Sequence, residues 1–125
     1  MLKKGLCFLS VAYTCVLLLA SLLNVNSITQ ELPTNSDKVL HAMAHGILTS
    51  FWFLTLSVTF NIKVLKSVIY AAGAAIIFGV IIEVLQGTIT QNRVTDFNDI
   101  LANVLGTVVA VLIILGLRFK ELKNK

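Results

Sequence analysis

Charge is scarce in this chain. Lys, Arg, Asp and Glu together supply 13% of its 125 residues and hydrophobic types supply 57%, against roughly 25% and 45–50% in average soluble proteins. That scarcity excludes a water-soluble globule. A chain this short cannot bury so much apolar surface in a core of its own, whereas lipid accepts it directly. Cysteine is scarce too: Cys7 and Cys15 lie in one apolar run, about 12 Å apart along a helix axis and too far for a disulfide, and they read as small buried thiols. The stretch CVLLLASLLN continues the apolar run after Cys15, which excludes a lipoprotein attachment signal. No A-x-A cleavage motif follows the first run, so an uncleaved first helix is expected in place of a signal peptide. No internal repeat or low-complexity segment is evident.

What is present is four long apolar stretches. Leu6 to Leu23 carries no charge and follows Lys3 and Lys4, and its length suits a hydrocarbon core of about 30 Å. Helices are expected at about 6–24, 38–60, 63–86 and 99–118, giving an all-α, polytopic bundle of four transmembrane helices in a single membrane domain, 1–125. Asn61 and Ile62 form a very short turn, so the second and third helices are expected to be antiparallel neighbours. Lys3, Lys4, Lys63, Lys66, Arg118, Lys120, Lys123 and Lys125 fall on one side of this arrangement, and only Lys38 and Arg93 fall on the other. By the positive-inside rule both termini are expected in the cytoplasm. The net charge of +4 is then a topology signal and implies no nucleic-acid partner.

Of the other ionisable residues, all but Glu121 in the tail gather on the outer half. Asp37, His41 and His45 are spaced by four and share one face of the second helix. Ala75, Gly79, Glu83, Gln86 and Gly87 form a stripe on the third helix; Asp96, Asp99, Asn103, Gly106 and Ala110 do so on the fourth, with Ala102, Gly106 and Ala110 as a seam of small residues. Polar groups at membrane depth usually face the bundle interior and mark a working site. Structural readings stand beside the functional ones. Asp96, Asp99 and Asp37 suit helix N-caps, and His45 suits an interhelical hydrogen bond. Glu83, at the end of AAGAAIIFGVII, needs a partner, for which Arg93 and Lys38 are the candidates.

Two segments resemble a known family. SDKVLHAMAHGIL is similar to the D-K-x-x-H opening of the VanZ-like family, and GVIIEVLQGTITQNRVTDFNDILANVLGTVVA to its second signature, G-x-x-x-E-x-x-Q, a short loop with Arg, then D-x-x-D-x-x-x-N-x-x-G. The resemblance spans about residues 37–110. It implies a site drawn from Asp37, Lys38, His41, Glu83, Gln86, Arg93, Asp96, Asp99 and Asn103, with Gly79 and Gly106 as motif glycines. Many members carry an aromatic residue where this chain has His45, so the resemblance assigns His45 no role. It also implies residence in the bacterial cytoplasmic (inner) membrane, and the family is named for a protein associated with resistance to the glycopeptide teicoplanin.

Three functions are consistent with these residues. The first is a cell-envelope protein whose extracytoplasmic polar pocket binds an anionic lipid headgroup or a lipid-linked envelope precursor, with Lys38 and Arg93 on phosphate and Asp99 and Asn103 orienting it. The second is a membrane enzyme acting on such a lipid through His41 and Glu83, against which stands the absence of phosphatase and acyltransferase signatures. The third is a metal- or proton-coupled transporter using Asp37, His41, His45 and Glu83, against which stand four short spans in a monomer. Neither a cofactor nor a resident metal is expected. The expected partner is a membrane lipid or lipid-linked precursor, with a second copy of the chain or another membrane protein also open. His41, Glu83, Arg93 and Asp99 are expected to converge on one pocket, with Arg93 in salt-bridge reach of Glu83, Asp96 or Asp99.

Overall fold

A computed structural model describes residues 2–22, 36–89 and 97–123. Four α-helices run through them: α1 (Leu2–Leu22), α2 (Ser36–Leu54), α3 (Val64–Ile89) and α4 (Phe97–Lys123), with a π-helical turn, Thr55–Thr59, continuing α2. All four are long and apolar enough to cross a membrane, and no strand occurs among the described residues. The second span is therefore not one uniform helix as expected from sequence. Its last turn widens to π geometry, so that the Phe60 N–H donates to Thr55 O at 3.2 Å and Ile62 N–H to Leu56 O at 3.0 Å. Asn61 closes the turn at φ 54°, a left-handed conformation that asparagine tolerates better than most residues.

The burial pattern is that of a protein dissolved in lipid. Phe8, Leu19, Ile69, Ile77, Leu112 and Ile113 are exposed, while Ser10, His45, Thr49, Thr55, Ser67, Glu83, Gln86, Asn103 and Thr107 are buried. Hydrocarbon solvates the apolar exterior, and polar side chains become the adhesive between helices. α1 shows this most clearly. Ser10 Oγ lies 2.6 Å from Thr55 Oγ1, the Tyr13 hydroxyl donates to Ala44 O at 2.8 Å, Trp52 Nε1 donates to Thr14 Oγ1 at 3.0 Å, and Thr59 Oγ1 to Lys3 O at 2.8 Å. Ser10 is the one buried residue of α1, so the helix is a peripheral stave held by these bonds. Cys7 is half-buried and Cys15 exposed, which corrects the expectation of two buried thiols: α1 is a peripheral helix whose one buried residue is Ser10.

α2 and α4 make the closest contact. A Cβ at Gly106 would lie 1.9 Å from Ala42 O, and one at Gly46 would lie 3.2 Å from Gly106 O; only glycine lets the two backbones approach so closely. Thr49 Oγ1 reaches Thr107 Oγ1 across the same contact at 3.4 Å. A buried apolar cluster, Phe53, Val68 and Ala71 with Trp52, Val64 and Ile114 against them, lies at the end where α3 begins. Arg118 caps it, its guanidinium 5.8 Å from the Phe53 ring, a cation–π distance. The opposite end, where α2 and α4 begin and α1 and α3 finish, is left to polar groups.

Candidate functional site

Three helices send ionisable side chains to that polar end. His41 stands in the second turn of α2, Glu83 two turns before the end of α3 and Asp99 in the first turn of α4. Alternating helix directions turn distant sequence positions into neighbours: a ligand atom from each lies within 4.8 Å of those from the other two. His41 Nε2 is 3.7 Å from Asp99 Oδ2, and the Lys38 ammonium pairs with the other oxygen, Asp99 Oδ1. Glu83 is 1% exposed, whereas His41 and Asp99 side chains keep 21% and 14% of their surface. The cluster is thus closed on the α3 side and open above.

A second layer lies one helical turn deeper. His45 is four residues after His41, Asn103 four after Asp99, and Gly79 four before Glu83. A Cβ at Gly79 would meet His45 Nε2 at 3.0 Å and Asn103 Nδ2 at 3.1 Å, so Gly79 makes the room these two side chains occupy. Both are 2% exposed. His45 Nδ1 lies 3.3 Å from His41 O, but His45 Nε2 and both amide atoms of Asn103 have no hydrogen-bond partner among the described residues. Buried polar atoms left in this state cost about 1–3 kcal/mol each. They lie directly beneath the charged layer, where buried polar atoms call for a hydrogen-bonding partner.

The residues expected at the site divide accordingly. Lys38, His41, Glu83 and Asp99 are brought together, with Asn103 beneath them. Gln86 is drawn elsewhere: its Nε2 donates to Ser21 O at 2.6 Å, tying α3 to the end of α1. Gly87 is exposed, so the stripe on α3 is buried only as far as Gln86. Arg93 and Asp96 lie outside the described residues, as does the Asp37 side chain, and with them the expected Arg93 ion pair. The resemblance assigns His45 no role, and the sequence offered it as an interhelical hydrogen-bonding group or a transport ligand; what the sequence does not show is that Gly79 faces it.

An apolar groove of about 470 Å³ runs between α2 and α4, lined by Met43, Ile47, Ser50, Leu105, Val109 and Ile113 among others. Met43 and Ile47 follow His41 and His45 by two residues, about 200° around the helix. The groove therefore opens on the far side of the Ala42–Gly106 contact and is separate from the polar site.

A family model described as VanZ/LLP1 matches residues 7–119. Neither a curated protein nor a solved structure matches the chain. The matched region reaches beyond the two motifs into both the first helix and the end of the last, and takes in every residue of the polar cluster. With nearly the whole chain matched and four helices suited to a bilayer, this membrane protein belongs to the VanZ/LLP1 family.

Proposed function

We propose that this chain is a cell-envelope protein of the bacterial cytoplasmic membrane that binds an anionic lipid headgroup or a lipid-linked envelope precursor in the cluster of Lys38, His41, Glu83, Asp99 and Asn103. The observation that carries this reading is the meeting of His41, Glu83 and Asp99 within 4.8 Å above the unpartnered amide of Asn103. Ionisable groups at membrane depth are costly and are kept where they work. Lys38 and His41 supply donors to phosphate oxygens, while the carboxylates and Asn103 accept from headgroup hydroxyls or amines. Arg93 adds a second cation on the sequence reading alone. The eight-to-two distribution of cations supports an orientation with both termini cytoplasmic and the cluster facing outward.

Native mass spectrometry of the full-length protein in detergent, incubated with phosphatidylglycerol or a polyprenyl diphosphate, tests the reading. Lipid retention is expected for the wild type, with diacylglycerol, which lacks the charged headgroup, retained far less. Removing one charge-assisted hydrogen bond costs about 1.5–3 kcal/mol, so Lys38→Met and His41→Ala should each weaken retention about tenfold or more. Equal retention by wild type and both variants would contradict it.

A further inference from the structure

We propose that His41, Glu83 and Asp99 form a binding site for one divalent transition-metal ion, with zinc the best match to the donor set. The inference goes beyond the lipid reading and stands without it, since the donors belong wholly to this chain. The sequence offered metal only as transported cargo, on Asp37, His41, His45 and Glu83; the three donors proposed here come from three separate helices, and no short spacing joins them.

Geometry supplies the first argument. The donor atoms lie within 4.8 Å of one another, and a tetrahedral zinc ion with ligand bonds of about 2.0–2.2 Å holds its donors roughly 3.4 Å apart. His41 Nε2 and Asp99 Oδ2, at 3.7 Å, are already near that spacing, and the other pairs need at most about 1.4 Å of closure, the scale of a side-chain torsion. Donor chemistry supplies the second. One imidazole with two carboxylates suits a borderline cation such as zinc better than magnesium, which prefers oxygen alone.

The surroundings supply the third argument. Asp99 uses its two oxygens differently: Oδ1 holds the Lys38 ammonium and Oδ2 faces His41. One oxygen is thus left for a metal while the other is fixed from outside, the usual arrangement for a ligating carboxylate. Among the described residues Glu83 and Asp99 share this end of the bundle, Glu83 being 1% exposed, and a divalent ion would bring positive charge directly between the two carboxylates. Three protein ligands leave at least one coordination position for water or a ligand oxygen, and the buried atoms of His45 and Asn103 without hydrogen-bond partners among the described residues lie in the layer one turn below.

The test uses full-length protein in detergent, treated with a chelator, freed of lipid and titrated with Zn²⁺ by calorimetry, and in parallel with Co²⁺ followed by visible absorption. One ion per chain is expected, with the intense visible bands of tetrahedral Co²⁺. His41→Ala and Glu83→Gln should each weaken Zn²⁺ binding at least about 100-fold, and Lys38→Met, acting through Asp99, about tenfold. Far-ultraviolet circular dichroism confirms that each variant is folded. Absence of stoichiometric binding by the wild type overturns the proposal whatever the variants do, and so does undiminished binding by folded His41→Ala and Glu83→Gln. Because no lipid is present, these outcomes leave the headgroup reading to its own experiment.

Discussion

Replacing Gly106 by alanine should pry α2 from α4. The added Cβ would stand 1.9 Å from Ala42 O, 2.6 Å from Ala42 C and 2.7 Å from Ala42 Cα, all backbone atoms that no rotamer change can move aside. Ordinary contact begins near 3.4 Å, so the two helices must part by about 1.5 Å at this point, and dispersion contacts along the interface weaken with the gap. Overpacking of this kind costs about 1–3 kcal/mol, and the better helix propensity of alanine returns at most about 1 kcal/mol. A net loss of about 1–2 kcal/mol is expected for Gly106→Ala, and more for Gly106→Leu. Gly73 and Gly116 are the controls, since a Cβ there meets nothing within 4 Å. Their alanine variants should be neutral or slightly stabilised. Unfolding in mixed detergent micelles with rising dodecyl sulfate, followed by circular dichroism, measures the difference. If Gly106→Ala unfolds at the same dodecyl sulfate fraction as Gly116→Ala, the close contact of α2 and α4 is wrong, and with it the placement of His41 beside Asp99.

Gly79→Ala should crowd His45 Nε2 and Asn103 Nδ2, at 3.0 and 3.1 Å from the new Cβ, destabilising the bundle by about 1 kcal/mol and lowering lipid retention; a variant with wild-type stability and retention would refute the two-layer site. Ser10→Ala removes the partner 2.6 Å from Thr55 Oγ1 and should cost about 0.6–1.7 kcal/mol, the range for interhelical hydrogen bonds in membranes, whereas Cys15→Ala on the exposed face should cost almost nothing. For topology, with Cys7 and Cys15 replaced by alanine, Asn92→Cys should react with an impermeant maleimide in intact cells and Lys66→Cys should not; the reverse pattern would invert the orientation.

Much of the architecture is legible in the sequence for one physical reason. A bilayer requires about 20 apolar residues per crossing, and four runs of that length leave little freedom in helix number. The Ala102, Gly106 and Ala110 seam was also readable, because small residues at four-residue spacing mark close approach. The partner across the seam was not: Ala42 and Gly46 lie in a segment whose polar face drew attention to His41 and His45. Gln86 sits in register with Glu83, yet its amide goes to Ser21 on α1, and helix order around a bundle is not written in periodicity. The π turn at Thr55–Thr59 has no local signature either, since the hydroxyls of Thr55 and Thr59 find Ser10, Leu6 and Lys3 on α1, a tertiary cause.

The central claim is that His41 and Glu83 act in one site although they lie on different helices. A double-mutant cycle with His41→Ala, Glu83→Gln and the pair, read as retention of the anionic lipid by native mass spectrometry, tests it most directly. Residues sharing one bound group couple by about 0.5–3 kcal/mol, so the double variant should bind little worse than the weaker single one. Losses that add to within about 0.3–0.5 kcal/mol would mean that His41 and Glu83 serve separate purposes, and the shared site would be contradicted.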